Sequence, residues 1–295
     1  MAQSLIGGLL ASGYSANQLI ATDPTQAQRD YITQTFGIHC FADNNEAISK
    51  ADIVVLAVKP QILQAVCQSI QGSVQAKSSL VISVAAGIRT LNMAHWLGEE
   101  VAIVRTMPNT PALIQTGATG LFANALVTPE QKNQAEHILR AAGITIWVED
   151  EAQLDIVTAL SGSGPAYYFL FMEAMEQTAQ KMGLDAKTAH ILTLQTALGA
   201  AKMAMESQQP LTTLRQNVTS PNGTTERAIN QFEASNLRQI VESAMLNAQQ
   251  RAKELGDELG GDLDASLDAV LNKNLCVDGD AHINKDSSDK LGEKA

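Results

Sequence analysis

Cysteine is scarce in this chain. Only Cys40, Cys67 and Cys276 occur among its 295 residues, and none stands in a C-x-x-C pair. The five histidines are scattered. His39 and Cys40 are neighbours, but no second ligand pair at metal spacing accompanies them. These absences argue against a disulfide framework and a structural metal, and they fit a reducing cytosol. Basic charge is short as well: 20 Lys and Arg stand against 31 Asp and Glu, for a net charge of −11. That balance disfavours nonspecific contact with nucleic acid or an anionic membrane, while leaving room for a local basic pocket for a phosphorylated cofactor. No window approaches the roughly 20 uncharged apolar residues that span a bilayer. The N-terminus shows no basic segment followed by an apolar one. The expectation is a soluble, cytoplasmic protein.

What is present reads as globular, with 45% apolar and 17% charged residues and length for about two domains. In the first half, helical and extended segments alternate. Helices are predicted over Gln3–Ser12, Gln26–Phe36, Gln61–Ile70 and Pro129–Ala142. Strands are predicted over Leu19–Thr22, Ile53–Val58, Leu80–Val84, Val101–Arg105, Thr119–Ala123 and Ile144–Val148. The run I-V-V-L-A-V at 53–58 suits a parallel strand covered on both faces. This alternation predicts an α/β fold with a doubly wound, Rossmann-like parallel sheet over residues 1–149.

The second half holds no convincing strand. Tyr168, Phe171, Met172, Met175, Ala179 and Met182 recur at helical spacing, as do Leu237, Ile240, Val241, Ala244, Met245 and Ala248. Residues 150–259 are expected to form an all-helical domain whose wide apolar faces favour a dimer. Residues 260–295 turn polar and are expected to form a disordered tail.

A doubly wound nucleotide domain opens on a strand, a glycine-rich turn and a helix. This chain opens on the helix, with Gly7 and Gly8 inside it. The reading favoured is a chain that begins one strand late, with the first strand of the sheet missing.

Several segments carry candidate chemistry. Ala57-Val58-Lys59-Pro60 closes a buried strand, where doubly wound sheets hold their ligands, so Lys59 is placed to face a cofactor. A solvated lysine opening a loop is the plainer alternative. Ala85-Ala86-Gly87 closes the next strand and would let a flat ring approach the backbone. Asp23 could accept hydrogen bonds from an adenosine ribose, or simply form an Asp-Pro turn. Leu160–Tyr167 (L-S-G-S-G-P-A-Y) reads as a helix–helix corner or a close-approach loop, with Pro165 in a first helical turn. Val218–Thr225 (V-T-S-P-N-G-T-T) sets three hydroxyls and free backbone N–H groups at the start of a helix near Glu226. That is the chemistry of a carboxylate site, beyond the single hydroxyl a helix cap requires.

Together with R-T-M-P-N-T-P-A-L at 105–113, these motifs resemble the pyrroline-5-carboxylate reductase family in order and spacing from Met1 to about Leu259. The resemblance implies reduction of 1-pyrroline-5-carboxylate to L-proline by NADPH or NADH. It also implies homodimers, with larger rings of dimers in some members. It places Thr22, Asp23, Asn44, Ala57, Val58, Lys59, Pro60, Ala86 and Asn217 against the cofactor. Ser220, Gly223, Thr224 and Thr225 would hold the substrate, with Ser220 and Thr224 on the carboxylate and Thr225 on the ring nitrogen as the catalytic group. Glu151 would be a further substrate contact. Asn222 stands where the family usually has glycine, and Asn tolerates positive φ better than most residues. A β-hydroxyacid dehydrogenase is an alternative, but Lys181, Lys187 and Lys202 lack the sequence context it needs. A catalytically impaired relative that keeps fold and dimer is the other.

Overall fold

A computed structural model describes residues 1–260. The chain enters on α1 (Ala2–Ala11), then β1 (Ile20–Thr22), α2 (Gln26–Phe36), β2 (His39–Phe41) and α3 (Asn44–Ile48). β1 and β2 pair in parallel as a separate two-stranded sheet. The main sheet follows: β3 (Ile53–Leu56), α4 (Pro60–Lys77), β4 (Leu80–Ser83), α5 (Thr90–Leu97), β5 (Ile103–Met107), β6 (Gly117–Ala123), α6 (Pro129–Arg140) and β7 (Gly143–Trp147). Its strand order is β3-β4-β5-β6-β7. Among the described residues four strand pairs are parallel, counting β1–β2, and β5–β6 alone is antiparallel.

The antiparallel pair departs from the all-parallel expectation for a physical reason. A parallel return needs a crossover of a dozen or more residues, usually a helix. Between Met107 and Gly117 there is only the proline-bearing 3₁₀ turn Thr110–Ile114, so the chain doubles back beside β5. Three short elements, β2, α3 and α5, were not predicted from sequence.

β4 shows why the centre of the sheet holds. All four of its residues are buried. Val81 packs into one cluster with Leu63, Cys67, Ile70 and Val74 of α4 and with Met93 and Trp96 of α5. Leu80 and Ile82 point to the other face, into a second cluster with Leu5 of α1 and Ala135 and Leu139 of α6. Strand alternation thus feeds two helix layers, as in doubly wound sheets. α6 starts on a reciprocal cap between Thr128 and Gln131.

The remainder is helical: α7 (Gln153–Val157), α8 (Gly164–Lys181), α9 (Ala186–Glu206), α10 (Leu211–Asn217), α11 (Thr224–Ala234) and α12 (Leu237–Gly260). A π turn at Thr158–Gly162 joins α7 to α8, and Pro165 sits in the first turn of α8. α8 and α9 pack on each other yet leave large apolar side chains exposed, among them Tyr168, Phe169, Ile191, Leu194 and Leu198. The tail expected from residue 260 lies, from 261 on, outside the described residues; Gly260 itself ends α12. No helix of the described residues is long and apolar enough to cross a membrane.

Candidate active site

The predicted cofactor residues gather mostly at carboxyl ends of parallel strands. Thr22 ends β1 and is exposed, and Asp23 follows it. Asp23 partly closes its own turn: Oδ1 accepts the Thr25 N–H at 2.8 Å, and its carbonyl oxygen accepts from Arg29 Nη1 at 2.7 Å. Ala57 and Val58 leave β3 half-buried. Lys59 is the N-cap of α4 in extended conformation, with Pro60 at the first helical position. Its side chain is exposed, so it is free to swing toward a ligand. Ala86, beyond β4, is exposed beside buried Gly87, which sits at φ +84°. Asn44 opens α3, half-buried. Asn217 lies apart from these strand ends. It closes α10, and its Nδ2 donates to Gln209 Oε1 at 3.0 Å.

The Val218–Thr225 loop lies on the helical half. Thr219 is folded back, its Oγ1 donating to the Arg215 carbonyl at 2.6 Å. Gly223 is the N-cap of α11, and no side chain caps that helix. The Gly223 N–H turns inward to the Ser220 carbonyl, and the Asn222 N–H donates to Glu226 Oε2 at 2.8 Å. Asn222 adopts φ 58°, the left-handed conformation its tolerance anticipated. Ser220, Thr224 and Thr225 are exposed. Their hydroxyls and the first N–H groups of α11 therefore share an uncapped, electropositive helix end. Arg227 on the first turn and Asn222 line a neighbouring cleft of about 320 Å³.

Glu151 sits elsewhere, where the sheet half meets the helical half. Its Oε1 accepts the Thr90 N–H at 2.7 Å and Arg105 Nη1 at 3.1 Å, and its Oε2 accepts from Thr90 Oγ1 at 2.8 Å. Arg105, on β5, is buried with its side chain 5% exposed, and it also reaches Asp155 on α7 at 3.5 Å. Burial pushes the Asp155 carboxyl up, with Arg105 and Arg89 acting against the rise. A cavity of about 740 Å³ adjoins this cluster, walled on its far side by Leu246, Gln250 and Lys253 of α12. Sequence reading singled out Glu151 but gave no role to Thr90, Arg105 or Asp155. The one visible signal was an arginine interrupting the apolar run Val101–Val104.

Two motifs that are distant in sequence lock together. Asn109 Nδ2 donates to the Ser161 carbonyl at 3.0 Å, and Asn109 Oδ1 accepts the Ala118 N–H at 2.9 Å. A Cβ at Gly162 would strike the Met107 methyl. The helix–helix corner reading of Leu160–Tyr167 is thus realised, docked onto the end of β5.

This arrangement has known counterparts. Residues 151–255 match the family model described as pyrroline-5-carboxylate reductase dimerisation, and residues 1–87 match that of NADP oxidoreductase, coenzyme F420-dependent. The chain is 51% identical over 252 residues to the pyrroline-5-carboxylate reductase of Pseudomonas aeruginosa, covering 85% of this chain and 92% of that one. Against the Escherichia coli protein of the same name, identity is 36% over 254 residues, with 86% and 94% covered. A solved pyrroline-5-carboxylate reductase from Coxiella burnetii superposes with a TM-score of 0.84 at 47% identity, covering 87% of this chain and 95% of that one. The Plasmodium falciparum pyrroline carboxylate reductase with NADP bound gives 0.76 at 29% identity, covering 86% and 94%. The chain belongs to the pyrroline-5-carboxylate reductase family, oxidoreductases built on an NADP-binding fold and a helical dimerisation domain.

Proposed function

We infer that the protein reduces 1-pyrroline-5-carboxylate to L-proline with NADPH or NADH, as a cytoplasmic homodimer that can assemble into rings of dimers. The observation that carries this reading is the uncapped start of α11. Ser220, Thr224 and Thr225 present three exposed hydroxyls there, beside N–H groups that no side chain of the helix caps. A carboxylate placed there would meet several donors and the positive end of the helix dipole. Ser220 and Thr224 would hold the substrate carboxylate beside the Gly223 N-cap, and the Thr225 hydroxyl would hydrogen-bond the ring nitrogen. Glu151, held by Thr90 and Arg105, would border the substrate site.

The residues present fit a nicotinamide dinucleotide. Ala86 offers an exposed strand end with only a methyl group, so a flat ring can approach. Thr22 and Asp23 offer oxygens at the end of β1, Lys59 an exposed ammonium and Asn44 an amide, while Asn217 stands apart from them on α10. When bound, the dinucleotide supplies a hydride to the carbon of the substrate's C=N bond. The electron pair of that bond passes to a nitrogen that is already protonated, so no covalent nucleophile on the protein is required. The chain's own task is alignment: gripping the carboxylate, fixing the nitrogen and excluding other orientations. The sheet half (1–149) would hold the dinucleotide and the helical half (150–259) the substrate.

Oxidation of NADPH, followed at its absorbance maximum with and without 1-pyrroline-5-carboxylate, tests the reading. Substrate-dependent oxidation with proline as product is expected. Its absence from folded, dimeric protein would overturn the assignment.

A further inference from the structure

The end of α12 crosses the Val84–Gly87 turn more closely than side chains would permit. A Cβ on Gly256 would lie 2.9 Å from the Gly87 carbonyl oxygen, and one on Gly87 would lie 3.5 Å from the Gly256 nitrogen. Backbone meets backbone, and Gly87 is held at φ +84°, where a side chain is strained. Ala252, Gly256 and Gly260 are all buried and fall four residues apart, on one face of α12. Two polar ties flank the crossing. Arg89 Nη2 pairs with Asp257 Oδ1 at 2.7 Å, and Asn92 Nδ2 donates to the Gly260 carbonyl at 3.1 Å. Leu259 packs into the cluster of Ile88, Met93 and Trp96.

We propose that the end of α12, through Gly256, is a positioning element for the turn that bears Ala86, and so a determinant of nicotinamide-cofactor affinity in the enzyme's own catalytic cycle. This rests on the reading that the cofactor lies against Ala86. Gly256 touches neither cofactor nor substrate and acts only through the backbone of Gly87. The tip of the turn has little side chain with which to hold its place: Val84 and Ala85 pack into the two core clusters, but exposed Ala86 carries only a methyl group and Gly87 none. Its position is therefore set from outside, by a helix of the other half of the chain. Adding one methyl at Gly256 moves that turn by about half an ångström, because a backbone oxygen at 2.9 Å has no rotamer by which to yield.

Gly256→Ala in the full-length dimer tests this, with Gly260→Ala as its matched control. At Gly260 the added methyl meets the Asn92 side-chain amide, at 2.9 Å from Nδ2, and not a strand-end backbone. Three readouts are taken: hydrogen–deuterium exchange of peptides spanning residues 84–92, NADPH affinity by fluorescence titration, and KM for each substrate. For Gly256→Ala we expect faster exchange in 84–92 and about ten-fold weaker NADPH binding, the scale set by sub-ångström misplacement. KM for 1-pyrroline-5-carboxylate at saturating NADPH should stay within about two-fold. Gly260→Ala should change NADPH affinity by less than about two-fold. If Gly256→Ala does not fold, Asp257→Ala removes one flanking tie and should weaken NADPH binding about two- to three-fold. NADPH binding unchanged in the variant, with or without faster exchange, overturns the proposal. So does an equal loss in Gly260→Ala, which would mark general loosening. Wild-type protein that binds no NADPH overturns the cofactor reading itself, and this proposal with it.

Discussion

Thr225 is the second residue of α11, exposed, at a helix start that no side chain caps. If its hydroxyl holds the ring nitrogen while the hydride arrives, Thr225→Ala should lower kcat by on the order of 10²-fold. KM should change little, because the carboxylate would still be gripped by Ser220 and the N–H groups. Steady-state kinetics with kcat near wild type would remove Thr225 from the mechanism. Asp155 gives a second prediction at this scale. Its carboxyl is pushed up from 3.8 by burial, against the pull of Arg105 and Arg89. The native state therefore holds this proton where the unfolded chain has lost it. The group's contribution to stability is greatest below 3.8 and is lost as pH rises through the raised native value. Asp155→Asn should remove that downward slope from a plot of denaturation midpoint against pH. Superimposable pH profiles would contradict the assignment. Single residues were unevenly legible in the sequence. The hydroxyl cluster at 220–225 and the positive φ of Asn222 could be read from residue types alone. The partners of Glu151 could not, because Thr90 and Arg105 lie 61 and 46 residues away and reach it only through the tertiary fold.

Elements were read best where hydrophobic patterning was long. α2 and α6 start where their N-terminal signals place them, and the run at 53–58 forms a strand over its first four residues, Ile53–Leu56. β2 was missed because three residues, His-Cys-Phe, carry no period. α5 was missed because its buried face includes Thr90 and Asn92 beside Met93 and Trp96, which blurs the apolar stripe. The direction of β6 followed from a connection too short for a crossover, a consequence of chain length that propensity does not express. Close strand contact yields a further prediction. Gly143 opens β7 at φ +144°, and a Cβ there would strike the Gly117 backbone of the paired β6. Gly143→Ala should cost about 3 kcal/mol, combining backbone strain with overpacking at a site where nothing can rotate away. Chemical denaturation should show a clearly lower midpoint. A shift worth less than about 1 kcal/mol would mean the β6–β7 start rearranges easily.

At the scale of the whole molecule, the helical half cannot be explained alone. Ile191, Leu194 and Leu198 form an exposed stripe on α9, and Tyr168 and Phe169 are exposed on α8. Fully burying one leucine contributes about 1.5–3 kcal/mol, so a second copy covering this stripe gains substantially. The double variant Leu194→Glu, Leu198→Glu should elute as a monomer on size-exclusion chromatography with light scattering, with proline formation largely lost. An intact oligomer would place the interface elsewhere. The apolar spacing of α8 was legible from sequence, as was that of α12; the stripe on α9 was not singled out, and which copy and which face meet these helices is not a property of one chain's periodicity.

The crossing of α12 over the Val84–Gly87 turn also bears on synthesis. The Arg89–Asp257 tie joins residues 168 apart. Contacts at such separation are closed late, after local helices and neighbouring strands. As the chain leaves the ribosome, the sheet half can gather around β4 while α12 is still being made. The Val84–Gly87 turn must then wait for the last described helix before taking its final shape. The nascent sheet half would thus be folded before that turn is set, and affinity for a cofactor lying against Ala86 would report the docking of α12.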